Sequence, residues 1–194
     1  MDTVLSSRNL VNHLLIAMPH MADPNFSETI TYICEHSDEE GSLGVIINRP
    51  IELTLGELAL QLQLPASASA SHILSQPVLE GGPVERDRGF VIHEDDGREW
   101  DSSVEIGGGM CMTSSRDILK ALVMGEAPDS SLVALGYAGW GPGQLESELA
   151  DNAWLLVEAT PELLFGTPYH QRWNAAAHHL GVELNLLPSF MGHC

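Results

Sequence analysis

The sequence feature that most constrains the fold is the run GYAGWGPGQLE at residues 136–146, which crowds glycines, a proline and two aromatic residues into one stretch. An apolar run precedes it and an amphipathic run follows it. Glycine suits backbone positions with positive φ or close chain approach, and Pro142 favours the first turn of a helix. The pattern therefore predicts a strand, a tight corner and a helix start; residues 136–146 are called the corner below.

Length and composition predict one globular domain that spans residues 1–194. Hydrophobic residues make up 44% of the chain and charged residues 18%, a balance typical of folded globular proteins. A chain of 194 residues can bury one sizeable core, and its composition does not shift anywhere in a way that marks a second domain.

The charge balance argues against nucleic-acid binding. The chain has 8 Lys and Arg residues against 27 Asp and Glu residues, a formal net charge of −19, and the acidic residues are scattered along the sequence. Affinity for duplex nucleic acid comes largely from Lys and Arg side chains that neutralise phosphates. We therefore expect an acidic protein surface that does not bind nucleic acid directly.

Cysteine usage and the N-terminal pattern predict a cytoplasmic protein. Cys34, Cys111 and Cys194 are widely spaced and include no CxxC pair, so neither a disulfide framework nor a zinc ribbon is indicated. Asn12 and His13 interrupt the N-terminal apolar run, which argues against a signal peptide. No stretch approaches the roughly 20 apolar residues of a membrane span, so we expect no membrane partner.

The first part of the chain carries strand patterns. Residues 13–17 form a short apolar run that predicts a buried strand. Residues 29–36 are rich in β-branched and aromatic side chains, residues 37–42 form an acidic turn, and residues 43–48 are again apolar. This arrangement predicts a β-hairpin.

A capping box predicts the first helix. Thr54 is followed three residues later by Glu57, the spacing at which both side chains satisfy backbone N–H groups at a helix start. We expect the helix to cover about residues 55–64 and to end before Pro65. The small-residue stretch 66–71 indicates a flexible loop.

The remainder of the chain mixes short strands with helices. We expect strands at residues 89–93, 103–106, 131–137 and 154–159, and helices at residues 114–125, 144–152 and 167–179. Strands that cluster first and then mix irregularly with about four helices predict an α+β fold rather than a regular βαβ repeat.

Several of these stretches together resemble the YqgE/AlgH family of small bacterial proteins. The similar stretches lie in order along nearly the whole chain, at residues 14–19, 32–36, 44–50, 81–84, 89–93, 113–117, 136–146 and 152–154. The ending at Gly192 and His193 also looks like the family's, although Cys194 stands where alanine is expected.

The resemblance implies a small barrel-like or bifurcated mixed β-sheet flanked by about four helices. It implies no established activity. Members of the family are sometimes labelled transcriptional regulators, a label that the charge of this chain argues against taking as direct DNA binding.

Cys34 is the sharpest chemical candidate. Strand alternation would place it on the same face as Tyr32 and His36, and a neighbouring imidazole could lower the pKa of the thiol. A redox sensor or thiol enzyme would follow. The alternative is a small buried residue in a hairpin strand, where Glu35 and the acidic turn would raise the thiol pKa.

The corner allows two further interpretations. A glycine-rich loop before a helix can hold a phosphate, but Glu146 and Glu148 in the first helical turns would repel an anion. Trp140 therefore either packs as a wedge in the core or is exposed as an anchor for a partner. A separate interpretation is a small-ligand-binding protein with a pocket near Trp140.

The histidines do not predict a metal site, and we expect no cofactor. His178 and His179 are adjacent on a helix and point about 100° apart, so they cannot easily bind one ion. His193 and Cys194 also lack ligand spacing. Ser114 is better explained as a helix cap than as a nucleophile.

Together these patterns favour a non-enzymatic regulatory or interaction protein whose protein partner the sequence does not identify. The expected binding surface combines three rigid turns at the ends of apolar strands. Its residues are Tyr137, Trp140 and Gln144, with Asn48, Arg49 and Pro50, and with Gly81, Gly82 and Pro83.

Overall fold

The computed structural model describes residues 9–187, which contain ten β-strands and five α-helices. The strands are β1 His13–Ala17, β2 Ile30–Ser37, β3 Gly41–Ile46, β4 Pro50–Thr54, β5 Pro77–Glu80, β6 Val84–Glu94, β7 Ser103–Gly107, β8 Met110–Thr113, β9 Ser131–Trp140 and β10 Trp154–Glu158. The α-helices are α1 Leu55–Gln61, α2 Ser71–Leu74, α3 Arg116–Met124, α4 Gln144–Ala150 and α5 Arg172–His179. Short 3₁₀ turns cover Ala68–Ala70, Tyr169–Gln171 and Leu184–Leu186, and a π-helical turn covers Glu162–Gly166. In this part of the chain, every helix is too short or too polar to cross a membrane.

Strand β9 is the centre of the sheet, whose main path runs β10-β1-β2-β3-β9-β6-β8-β7. One edge of β9 pairs with β6. The other edge pairs first with β5, in parallel, at Ala134 and Leu135, and then with β3, antiparallel, from Ala138 to Trp140. The sheet therefore forks at β9, and the predicted α+β fold with a bifurcated mixed sheet is confirmed.

Glycines make the fork sterically feasible. Gly136 has a φ of 78° at the point where β9 changes partner from β5 to β3. A Cβ on Gly82 would collide with the backbone of Tyr137. The Gly81 carbonyl accepts a hydrogen bond from the Ile46 N–H at 2.8 Å, which ties β3 into the same junction. Only residues without a Cβ allow three backbone segments to approach this closely.

Both faces of the sheet are packed. Leu14 and Ile16 of β1 lie in the main core, which α5 covers. Leu15 and Ala17 lie in another core, which includes residues of α4. This division follows from the alternation of side chains along a strand. A further apolar cluster packs α1 and α3 against the β5, β6 and β9 part of the sheet.

Arg172 anchors α5 to the sheet. Its guanidinium is buried and donates to the Ile47 carbonyl at 2.6 Å and, through Nε, to the Thr167 carbonyl at 2.8 Å. It also lies 4.4 Å from the centre of the Tyr169 ring. Burial lowers the pKa of Arg172 to about 10, and the neighbouring Tyr169 partly opposes this change.

The local sequence patterns predicted most elements correctly. Strand β1 has the predicted bounds, the hairpin is formed by β2 and β3, and Thr54 and Glu57 form the predicted capping box. The loop prediction for residues 66–71 is wrong, because Ser67 caps a 3₁₀ turn that leads into α2. Strands β4 and β8, helix α2 and the π-helical turn were not predicted, and the N-cap residue of α3 is Ser115 rather than Ser114.

Candidate functional site

Trp140 is a wedge in the protein core. It lies at the end of β9, is 5% exposed and donates its indole N–H to Glu148 Oε2 of α4 at 2.9 Å. The Trp154 indole donates to the same oxygen at 2.8 Å. The Glu148 carboxylate therefore holds two buried indoles together. Of the two interpretations of Trp140, the packed wedge is confirmed.

Gln144 completes this hydrogen-bond network at the surface. Its Nε2 donates to Glu148 Oε1 at 2.9 Å, and its Oε1 accepts from the Gly141 N–H at 3.0 Å. The side chain is exposed. Gln144 thus stabilises the corner, and its side-chain carbonyl and one amide hydrogen both form hydrogen bonds within the protein.

The Trp140 ring of the corner packs with two other aromatic rings. Phe26 lies 6.1 Å from Trp140 and 5.6 Å from Trp154, measured between ring centres, and the two indoles lie 6.0 Å apart. The Phe26–Trp154 and Trp140–Trp154 pairs are edge to face, which is a favourable arrangement for aromatic quadrupoles. The corner is therefore a rigid platform.

An open cleft of about 580 Å³ lies against this platform, between the β2–β3 hairpin and the end of β9. Its apolar lining is Leu43, Val84, Tyr137 and Trp140, and its polar lining includes Glu35, His36, Ser37, Glu40 and Ser42. Glu35 and Glu40 are exposed, so their carboxylates form an acidic rim. Among its described lining residues there is no Lys or Arg.

His36 links the cleft to α4. Its Nδ1 lies 2.9 Å from Ser42 Oγ, and its Nε2 lies 3.4 Å from Glu146 Oε1. Asp38, in the hairpin turn, brings a second carboxylate close to the same imidazole. This cluster was not predicted from the sequence, because the turn and α4 are far apart in the chain and meet through the pairing of β3 with β9.

Strand alternation correctly predicted that Cys34 shares a face with Tyr32, but the prediction that His36 lies beside the thiol is wrong. Cys34 and Tyr32 both lie in the main core, where Cys34 is 2% exposed and its Sγ lies 3.5 Å from the Tyr32 carbonyl. A β-bulge between Ile33 and Glu35 then shifts the register, and His36 instead contacts Ser42 and lines the cleft. Burial, and then the charge of Glu35, raise the pKa of the thiol. A buried thiol with a raised pKa is a poor nucleophile, so the geometry does not favour a redox role.

The Asn48 and Arg49 side chains serve a loop rather than a binding surface. Asn48 accepts from the Ile30 N–H at 2.9 Å and donates to the Glu28 carbonyl at 2.9 Å. Arg49 donates to three carbonyls of the loop before β2, those of Pro24, Asn25 and Ser27. Pro50 begins β4 and is exposed.

The three predicted turns do not form one continuous rim. Gly81 and Gly82 lie against β9 at the fork, beside Tyr137, and Pro83 leads from them into β6. Asn48 and Arg49 follow the end of β3 that is opposite to the hairpin turn, whereas Trp140 pairs with Ser42 at the turn end. The length of β3, roughly 20 Å for six residues, separates them. Tyr137 and Trp140 are the predicted residues that line the cleft.

The histidines considered in the sequence analysis do not gather into a cluster. His178 Nε2 lies 3.2 Å from Glu183 Oε1 on the exposed end of α5, and His179 is also exposed. His193 and Cys194 lie outside the described residues. The grouping of His36, Asp38 and Glu146 is the one combination of three or more His, Cys, Asp or Glu side chains within residues 9–187 that has metal-ligand spacing.

Known proteins have sequences and folds similar to those of this chain. A family model described as AlgH-like matches residues 14–185. The chain belongs to the AlgH-like family. A UPF0301 protein of Xanthomonas campestris pv. campestris is 50% identical over 184 residues, which cover 95% of this chain and 96% of the relative. A UPF0301 protein of Thioalkalivibrio sulfidiphilus is 50% identical over 188 residues, which cover 97% of this chain and 98% of the relative.

Solved structures agree with this membership. The solution structure of the AlgH protein from Pseudomonas aeruginosa is similar with a TM-score of 0.74 and 46% identity, and the match covers 100% of this chain and 98% of that one. A crystal structure of a Corynebacterium diphtheriae protein has a TM-score of 0.73 at 18% identity, over 92% of this chain and 91% of that one. The second comparison shows the fold alone.

Proposed function

We propose that this AlgH-like chain is a cytoplasmic regulatory protein that binds a positively charged segment of a partner protein in the cleft. The observation that carries the proposal is the cleft's composition: an apolar wall of Leu43, Val84 and Tyr137 beside the exposed carboxylates of Glu35 and Glu40. Lysine and arginine side chains pair an apolar stem with a charged end, so they match such a surface.

The overall charge supports the same class of partner. A net charge of −19 attracts cationic segments and speeds their encounter with an acidic cleft. The same field repels phosphates, which is why we propose a protein partner rather than a nucleic acid. Regulation would then follow from holding a partner, without contact between this chain and DNA.

An extended peptide suits the site better than a small molecule. A second cleft of about 210 Å³ shares Glu35 and Leu43 with the first and continues beside Arg88, Phe90 and Ser103. Small-ligand pockets enclose most of the ligand surface, whereas both of these clefts are open. A peptide lying across Glu35 and Leu43 would contact both.

Binding to a peptide array tests the proposal. The array presents synthetic peptides of varied sequence, each in two versions with lysine or glutamine at the central position. We expect the protein to select lysine versions. Each exposed ion pair is worth about 0.2–1 kcal/mol, so replacing both Glu35 and Glu40 by Gln should weaken the selected peptides about 2- to 30-fold.

Glu99→Gln is the matched control, because Glu99 is exposed and lies outside both clefts. It removes the same charge and should leave peptide binding unchanged. Selection without preference for lysine, or equal binding by the double variant and the wild type, would rule out the acidic rim as the recognition element. Binding that Glu99→Gln weakens equally would show a general charge effect instead.

A further inference from the structure

The side chains of His36, Asp38 and Glu146 converge from two distant parts of the chain. Each offers one ligand atom, and these atoms all lie within 4.8 Å of one another. His36 is near the end of β2, Asp38 is in the turn that follows, and Glu146 is in the first turn of α4. We propose that these three side chains form a binding site for a zinc-type divalent cation.

The imidazole of His36 is already oriented for such a role. The side chain is 7% exposed, and Ser42 Oγ contacts Nδ1 at 2.9 Å. A hydroxyl on one ring nitrogen holds the ring and directs the other nitrogen, as partners of metal-binding histidines commonly do. Here the other nitrogen, Nε2, faces Glu146 Oε1 at 3.4 Å, and an Asp38 carboxylate oxygen lies within 4.8 Å of the ligand atoms that both residues offer.

The distance between His36 Nε2 and Glu146 Oε1 matches the spacing of two ligand atoms on one metal ion. At 3.4 Å it exceeds the 2.7–3.2 Å of an ordinary N–H···O hydrogen bond. Zinc–nitrogen and zinc–oxygen bonds of about 2.0–2.1 Å at tetrahedral angles separate two ligand atoms by about 3.4 Å. The pair thus has the spacing of one edge of a coordination tetrahedron.

Asp38 can complete the set with little cost. It is exposed in a turn between two strands, so its carboxylate can move the short distance to a common centre. Three protein ligands leave a fourth position for water or for another ligand. Glu146 can bind the ion without losing another hydrogen bond. Within residues 9–187, its carboxylate contacts only His36.

The donor set selects the kind of cation. An imidazole nitrogen with two carboxylates suits Zn²⁺ and similar transition metals, whereas Mg²⁺ and Ca²⁺ prefer oxygen ligands alone. The net charge of −19 adds a general attraction for cations. A bound ion would join the hairpin turn to α4 at the wall of the cleft that His36 lines.

Isothermal titration calorimetry tests the site with Zn²⁺ alone as the probe, added to chelator-treated full-length protein. We expect one ion per chain for the wild type. Asp38→Asn and Glu146→Gln should each bind at least about 10-fold more weakly, since even partners of metal ligands contribute that much. Asp38 is exposed in a turn, so its variant should remain folded, which circular dichroism will check.

Two control variants make the result specific. His178→Gln removes an exposed histidine that also lies beside a glutamate, and Cys194→Ser removes a thiol that could bind zinc by itself. Both should bind one ion with wild-type affinity. Failure of the wild type to bind Zn²⁺, an unchanged affinity in Asp38→Asn, or loss of binding in either control would overturn the proposal. So would Mg²⁺ binding as tight as Zn²⁺ binding.

Discussion

Replacing Glu148 by alanine should destabilise the protein strongly, although Glu148 itself is only partly buried. Its carboxylate accepts the indole N–H groups of Trp140 and Trp154 on one oxygen and the Gln144 amide on the other. Both indoles are buried in the core beneath the corner, so they have few alternative acceptors. The substitution leaves two buried donors without a partner.

The expected loss follows from those two donors. A buried donor left without an acceptor costs about 1–3 kcal/mol, which gives a sum of about 2–6 kcal/mol. Water can enter the space of a partly exposed side chain, so we expect about 2–4 kcal/mol. For a domain of this size, 1 kcal/mol corresponds to about 2–4 °C, and the midpoint of thermal unfolding should fall by about 4–16 °C.

Urea unfolding followed by far-ultraviolet circular dichroism measures the loss without depending on tryptophan fluorescence. Ser147→Ala is the matched control, since Ser147 is exposed on the same helix and should change the free energy of unfolding by less than about 0.5 kcal/mol. A Trp140→Phe background should reduce the effect of Glu148→Ala, because one donor is already gone. If Glu148→Ala costs no more than the control, the carboxylate does not hold the indoles.

Two further predictions concern backbone strain at glycines and the titration of a buried thiol. Gly136 and Gly97 both have a φ of 78°, but a Cβ on Gly136 would meet the Gly82 carbonyl, whereas a Cβ on Gly97 would meet nothing within 4 Å. In urea unfolding, Gly97→Ala should lower the free energy of unfolding by about 1–2 kcal/mol, and Gly136→Ala should lower it by about 1–3 kcal/mol more. Equal losses would contradict the steric account of the fork. Burial raises the pKa of Cys34 above its ordinary 9.0, so the unfolded chain releases this proton first and the free energy of unfolding should fall as pH rises above about 9, by up to about 1.4 kcal/mol per pH unit. Cys34→Ala should make that fall shallower between pH 9 and pH 10, and an unchanged slope would contradict the assignment.

Structure that depends on near neighbours in the chain could be predicted from the sequence. In the capping box, the Thr54 hydroxyl accepts from the Glu57 N–H at 3.2 Å and the Glu57 carboxylate accepts from the Thr54 N–H at 2.7 Å. Both partners lie within four residues, so a short pattern contains the whole interaction. The Thr54 hydrogen bonds also lower the pKa of the Glu57 carboxyl. Strand β1 and the β2–β3 hairpin were predictable for the same reason.

The candidate site could not be predicted in this way, because strand pairings that no local pattern specifies bring its parts together. The corner marked Trp140 as special, but its acceptor Glu148 and its neighbours Ser42 and Val84 were not identified. The bulge between Ile33 and Glu35 is a register change of one residue, and it places His36 in the cleft rather than beside Cys34. No sequence pattern marked Asp38 and Glu146 as neighbours of His36, because the chain contains 27 Asp and Glu residues.

The fork in the sheet explains why the site exists where it does. Because β9 leaves β5 at Gly136, its second half can pair with β3, and this pairing sets Trp140 opposite Ser42. Ser42 is the residue that orients His36, and the chain that continues from Trp140 forms α4, which carries Glu146 to the same imidazole. The glycines that identify the corner in the sequence therefore shape the site through the backbone, because they allow the strand arrangement in which hairpin turn, cleft and helix meet.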